Sequence, residues 1–175
     1  MQIDLSELFT CDGKSKDYQL PFTKDVFYCQ AGNYPIIRKS PVDLSITHEA
    51  NRKMLLKGSV NVTLQIPCDR CLESVEYPIR INFDKKMDLN ATDQDRLEEL
   101  DEQPFINGFN LDIDELVCGE LIVNMPMKVL CNENCKGICK RCGANLNHET
   151  CHCDVTELDP RMSVIRDIFN NFKEV

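Results

Sequence analysis

The sequence predicts an α+β chain: an antiparallel β meander, barrel-like in its curl, with flanking helices and a C-terminal cysteine-rich segment stapled by zinc. Three observations predict it. Apolar and polar residues alternate with a period of two over most of residues 42–83, the mark of strands with one buried face. Two segments, starting at Asp112 and Asp159, carry helix start signals. Six cysteines fall in the 23 residues from Cys131 to Cys153, spaced C-x3-C-x3-C-x2-C-x8-C-x-C. Clustered thiols at such spacing are soft ligands for a tetrahedral Zn2+.

The chain divides into residues 1–124, a β domain with an acidic linker (88–104) and a helix, and residues 125–175, a zinc-binding tail with a terminal helix. At 175 residues and 42% hydrophobic content it is long enough for one domain with a small appendage. No apolar run approaches the roughly 20 residues that span a bilayer, so no membrane is expected. The first residues carry Asp4 and Glu7 and no basic cluster, unlike a secretory leader. That reading places the chain in the cytosol, where clustered cysteines are metal ligands and not disulfide partners. The formal charge is −9, and its excess is local: residues 88–124 hold 11 acidic side chains and one basic one. The rest is nearly neutral and can still present basic patches.

Taken in order, Ile3 to Leu8 reads as either a short strand or the start of a helix. Tyr18 to Phe22 reads as extended, because Pro21 biases Leu20 away from helix. Val42, Leu44, Ile46 and His48 form the inner face of one strand. Met54, Leu56, Val60, Val62, Leu64 and Ile66 form that of a second, with Leu55 out of pattern and Gly58 marking a bulge. Val75, Tyr77, Ile79, Ile81 and Phe83 form that of a third. Pro78 makes the third strand an edge, or bulged. Asp112 and Glu115 fit an acidic capping box for a helix that Pro126 ends. Asp159-Pro160 starts the last helix, whose packed stripe is Met162, Ile165, Phe169 and Phe172. Residues 88–104 read as a solvated linker.

Cys68-Asp69-Arg70-Cys71 falls at the hairpin tip between the second and third strands, where zinc ribbons present a ligand pair. A pair supplies two ligands of four. The six tail thiols exceed one site by two. The count therefore groups Cys139, Cys142, Cys151 and Cys153 around one Zn2+, and Cys68 and Cys71 with Cys131 and Cys135 around another. A single tail ion is the alternative, and His148 or His152 can replace a thiol. Cys11, Cys29 and Cys118 stand apart and read as small buried residues.

Other cysteine chemistries lack parts. A nucleobase deaminase needs His or Cys, a spacer, then Glu; here His48 and Glu49 are adjacent. A thioredoxin-like pair needs a helix N-terminus, but strands flank Cys68 and Cys71. With three histidines, two inside the cysteine cluster, no hydrolase triad assembles. A closed four-thiolate site has no open position for water or substrate. The sequence thus reads as a binding protein, not an enzyme, with no small-molecule substrate.

Several segments together resemble the YceD family. They are Cys68-Asp69-Arg70-Cys71-Leu72-Glu73, Asp112-Ile113-Asp114-Glu115-Leu116, Met125-Pro126-Met127, Cys135-Lys136-Gly137-Ile138-Cys139, Cys142-Gly143-Ala144-Asn145-Leu146-Asn147 and Asp159-Pro160-Arg161. Cysteine-rich members of that family occur in Gram-positive bacteria. The resemblance implies a role in large-subunit ribosomal RNA accumulation and ribosome biogenesis, without catalysis. It implies partners that are ribosomal RNA or a pre-ribosomal particle. Lys53 and Lys57 share a polar strand face, and Lys136, Lys140 and Arg141 lie among the tail thiols, where phosphate contacts are reasonable. The alternative partner is a basic ribosomal protein or an assembly enzyme bound by the acidic segment. A thiol redox sensor is a lesser alternative. Against the family pattern, Val117-Cys118-Gly119 is expected to disturb the first helix.

Overall fold

The structure is a computed structural model, and its described residues are 1–10, 13–49, 53–88 and 104–153. The chain forms two compact units: Met1–Pro67 with Ser74–Val129, and Cys68–Glu73 with Leu130–Val175.

The first unit, the β unit, contains β1 (Gln2–Asp4), a 3-10 turn (Ser6–Thr10), β2 (Ser15–Leu20), β3 (Val26–Cys29), β4 (Gly32–Lys39), β5 (Val42–Glu49), β6 (Lys53–Pro67), β7 (Ser74–Asp88), β8 (Ile106–Asn107), β9 (Asn110–Asp112) and the helix α1 (Ile113–Asn124). The three alternating runs are β5, β6 and β7, and they pair antiparallel in chain order. β6 is the spine. One of its edges pairs with β7 along the full length, from Lys53↔Asp88 to Pro67↔Ser74. The other edge is shared, by β5 near Lys53–Ser59 and by β4 near Val62–Leu64. β2 adds to β5 and β3 to β4, while β1, β9 and β8 make a separate three-stranded sheet.

Both sheets are open, so the barrel-like closure expected from the alternation is not formed. Among the described residues, β2, β3 and β7 each pair with one neighbour only. As an edge, β7 tolerates Pro78 opposite Thr63, since a missing N–H there costs little. Gly58 is not a bulge. Its register with Leu44 and Phe83 is regular, and it belongs to the inward set. A Cβ at this position would run into the Phe83 ring and lie 2.8 Å from the Asp43 carbonyl. The glycine is there to admit Phe83. The register shift falls instead in β4, between Ile36 and Arg38.

The core is built from the inward sets: Val42, Leu44 and Ile46 of β5; Met54, Leu56, Val60, Val62 and Leu64 of β6; Ile79, Ile81 and Phe83 of β7. Leu116, Val117 and Leu121 of α1 join them, as do Leu5 and Leu8 from the N-terminal turn. His48 is buried among these, on the apolar face where the alternation placed it. The first eight residues contain both readings of their sequence, a strand and then a 3-10 turn.

Asp112 caps α1 by accepting from the Asp114 and Glu115 N–H groups. The box is half made, because the Asp112 N–H donates to Phe105 O at 2.7 Å and not to Glu115. Asp114, in the first turn, accepts from Thr23 N (2.9 Å), Thr23 Oγ1 (2.7 Å) and the Met1 amino group (2.6 Å). The helix runs through Val117, Cys118 and Gly119 without interruption and ends before Pro126, with Met125 extended. It is the one α-helix among the described residues. The expected helix from Asp159, its stripe, and most of the acidic segment lie outside the described residues, as does Cys11. No helix among the described residues is long and apolar enough to cross a membrane.

Candidate metal centres

The second unit begins where the β6–β7 ladder stops. Past the Pro67↔Ser74 pair, Cys68–Glu73 closes on itself. Cys68 N donates to Glu73 O (2.8 Å) and Leu72 N to Cys68 O (2.9 Å). In the tail, Gly143 N donates to Cys139 O at 2.9 Å. Cys68–Leu72 and Cys139–Gly143 are therefore the same turn: a C-x2-C pair whose next residue bonds back to the first cysteine. That next residue is left-handed in both, at φ 63 for Leu72 and φ 76 for Gly143. Glycine adopts this conformation freely, whereas a leucine there costs about 1 kcal/mol or more. A third left-handed residue, Gly137 (φ 80), follows Cys135.

These turns aim backbone N–H groups at sulfur. Burial works against the Cys68 thiolate, but the N–H groups of Arg70, Cys131 and Cys71 outweigh it and bring the thiol down to about 6. At Cys139 the N–H groups of Cys142 and Arg141 lead, and that thiol also falls to about 6. Hydrogen bonds to the charged form favour it, and the thiolate is the form that binds metal.

Cys68, Cys71, Cys131 and Cys135 form one group, with their sulfurs all within 4.8 Å of one another. Cys68 Sγ lies 3.9 Å from Cys135 Sγ, and Cys71 Sγ lies 3.4 Å from Cys131 Sγ. Zn–S bonds of about 2.3 Å in a tetrahedron put sulfurs about 3.8 Å apart, so this donor set fits zinc. Cys68, Cys71 and Cys135 are buried and Cys131 is exposed. Burial, the largest influence on Cys71, pushes its thiol up. Asn147 Nδ2 donates to Cys135 Sγ at 3.3 Å and is the leading reason that thiol is lowered. The Asn147 Oδ1 accepts from Lys136 N at 2.8 Å, which fixes the amide.

Arg70 ties this group together. Its guanidinium donates to Cys135 O (2.8 Å) and Glu133 O (3.4 Å), and its carbonyl accepts from Ile138 N (3.0 Å). The backbones approach so closely that a Cβ on Gly137 would sit 3.0 Å from Arg70 O. Glu73 Oε1 meets His148 Nε2 at 2.6 Å. That histidine, followed by the Cys71 thiol, holds the Glu73 carboxyl below its usual range.

Cys139, Cys142, Cys151 and Cys153 form the second group within the same 4.8 Å limit. Cys139 is buried, Cys151 and Cys153 are half-buried and Cys142 is exposed. The Cys142 thiol, then burial, pushes Cys153 up to about 12. Cys139 N–H donates to Ala144 O at 2.8 Å, and Ile138 bridges to Asn145.

Each group could hold a metal ion, and each contains the four thiols that the count assigned to it. Cys29 and Cys118 belong to neither; both are half-buried and pack against the apolar core. His148 and His152 also lie outside the groups. The sequence reading missed Arg70, Asn147, Glu73 and the left-handed Leu72. The signal for Leu72 was present: Leu72 follows its C-x2-C pair as Gly143 follows its own.

The chain matches the family model described as "Large ribosomal RNA subunit accumulation protein YceD" over residues 56–169. It is 27% identical over 167 residues to the chloroplastic "Large ribosomal RNA subunit accumulation protein YCED homolog 1" of Arabidopsis thaliana, covering 80% of this chain and 50% of the relative. The Zea mays protein of the same name is 26% identical over 160 residues, covering 73% and 55%. An uncharacterized protein of Mycobacterium tuberculosis is 24% identical over 121 residues, covering 69% and 58%. The chain thus spans about half the length of these relatives. No solved structure matches it. Because the family match starts within β6 and takes in the hairpin tip and all eight clustered thiols, the chain belongs to the YceD family.

Proposed function

We propose that this chain is a non-enzymatic, zinc-holding factor of ribosome biogenesis, acting in the cytoplasm to promote accumulation of large-subunit ribosomal RNA. The observation that carries this reading is the pairing of two four-thiol groups with membership of a family named for that accumulation. Cys68, Cys71, Cys131 and Cys135 hold one Zn2+. Cys139, Cys142, Cys151 and Cys153 hold the other. Zinc supplies structural cross-links here, since four thiolates leave no open position for water or substrate. The chain works by binding RNA or a pre-ribosomal particle.

On the strand faces the cations are largely committed. Lys57 pairs with Asp84 at 3.2 Å, Arg38 with Glu76 at 2.6 Å and Lys39 with Asp25 at 2.8 Å. The Lys57–Asp84 pair favours the tail cations Lys136 and Lys140 over Lys57 as phosphate contacts. Deleting the gene should lower large-subunit ribosomal RNA relative to small-subunit RNA. The wild-type gene should restore the ratio, and a Cys139→Ser plus Cys142→Ser variant should not. An unchanged ratio on deletion would end this reading.

A second reading, a basic ribosomal protein as partner, is favoured by charge. Each four-thiolate zinc site carries a net charge of −2, which adds to the −9 of the chain. Pull-down from lysate with and without nuclease separates the two: nuclease-sensitive capture supports RNA, and nuclease-resistant capture of a basic protein supports the second.

A further inference from the structure

Leucine occupies the left-handed position after Cys71, where the matching turn uses Gly143. The chain accepts strain at Leu72 that a glycine would remove, and the side chain is not used inside the protein: it is 65% exposed. A residue kept in a strained conformation, pointing outward, is a mark of contact with something else. Its neighbourhood is patterned as well. From Cys135 to Lys140 burial alternates, with the thiols of Cys135 and Cys139 and Gly137 inward, and Lys136, Ile138 and Lys140 outward. Ile138 is joined to the hairpin tip through its N–H bond to Arg70 O, two residues from Leu72.

We propose that Leu72 and Ile138, flanked by Lys136 and Lys140, form a binding surface for single-stranded RNA. This rests on the ribosomal RNA reading above and names the form of RNA and the residues. Single-stranded RNA presents unstacked bases, which can lie against aromatic or apolar side chains, and phosphates, which pair with nearby cations. Lys136, Ile138 and Lys140 offer both, exposed within five residues of a loop that turns at the left-handed Gly137. The two exposed cysteines, Cys131 and Cys142, and the histidines lie outside this set. A duplex hides its bases and gains nothing from Leu72. An acidic peptide would use the lysines but has no flat face for the apolar pair.

The test is fluorescence anisotropy with the full zinc-loaded chain and three labelled probes at low salt: a mixed-sequence RNA 10-mer, the same 10-mer annealed to its complement, and a ten-residue oligoglutamate. The single strand should bind best. Leu72→Gly should weaken it about fivefold or more, as loss of a half-exposed leucine contact would. The same variant should keep its zinc content and melt no earlier than wild type, because glycine suits this turn. Lys136→Glu with Lys140→Glu should weaken binding further and reduce the salt slope by about two. Equal binding of duplex and single strand, tightest binding of oligoglutamate, or wild-type affinity in Leu72→Gly would each overturn the proposal. If no RNA binds while gene deletion still lowers large-subunit RNA, the surface is wrong and the functional reading stands. If RNA binds as described while deletion leaves the ratio unchanged, the surface stands and that reading falls.

Discussion

In the β unit the buried side chains are aliphatic and aromatic, among them Leu56, Leu64, Ile81, Phe27 and Leu111. In the tail unit the buried side chains among the described residues are Cys68, Cys71, Cys135 and Cys139. The first can be stabilised by removing apolar surface from water. Among its described residues the second buries little such surface, and the side chains it does bury are thiols. On the zinc-holding reading proposed above, metal–sulfur bonds hold that segment in shape. On that reading the two units depend on different forces, and different treatments should take them apart.

Removing the metal should have the largest effect. Structural zinc in small modules contributes on the order of 10 kcal/mol at neutral pH. A strong chelator should therefore unfold residues 130–153 and leave the β unit intact. Backbone amide exchange read residue by residue checks this: protection should vanish at Cys139 and Gly143 and persist at Val62 and Ile81. Loss of protection across both units would show that the β unit leans on the metal too.

Cutting the apolar core should do the converse. Leu56 is fully buried, and Leu56→Ala should cost about 3 kcal/mol of β-unit stability, measured by urea unfolding. Zinc content after purification should stay the same. A drop in bound zinc would join the two units energetically.

Within the tail the two centres differ by loop length. Cys71 and Cys131 are separated by 60 positions, whereas Cys142 and Cys151 are separated by nine. Closing the longer loop costs about 2 kcal/mol more. Chelator titration should release zinc in two steps, with the Cys68 centre emptying first, and Cys71→Ser should remove only that first step. A single step in wild type would mean the centres load together.

The smallest effect is in acid. Burial opposes ionisation of Asp114, but the Met1 amino group and Thr23 outweigh it and lower its carboxyl below the usual value. A carboxylate lowered on folding contributes stability above its unfolded value of about 4 and loses that contribution as pH falls through its folded value. Thiolate ligands take up protons at higher pH than that. A titration from neutral to acid should thus empty the tail first and weaken the β unit only below about pH 4. Asp114→Asn should flatten the second step and leave the first in place. Near-ultraviolet circular dichroism, alongside a zinc indicator, reads both.

Much of the β unit was legible because one buried face imposes a period of two. β5, β6 and β7 follow it for many residues, long enough to outweigh exceptions such as Leu55. β3 and β4 were not legible. β3 is short, Pro35 sits inside β4, and the register shift between Ile36 and Arg38 breaks the alternation of β4. Gly58 was read as a bulge because a glycine in a strand has two meanings, and only the position of Phe83 on the neighbouring strand chooses between them. The eight clustered thiols, six in the tail and two at the hairpin tip, could be read from their count and spacing, while Arg70 and Asn147 could not. Nothing local to either residue says which carbonyl or sulfur it will meet.

The sequence by itself determined where the inward faces lie, where α1 starts and stops, and that thiols outnumber the needs of one metal ion. Those properties depend on neighbours a few positions away, through alternation, capping and bite distance. Only the tertiary structure decided that the sheets stay open, that Gly58 yields to Phe83, and that the Cys68 and Cys131 pairs come within sulfur-to-sulfur contact. Such pairings join positions tens of residues apart, and no short-range pattern encodes a distance across folded space.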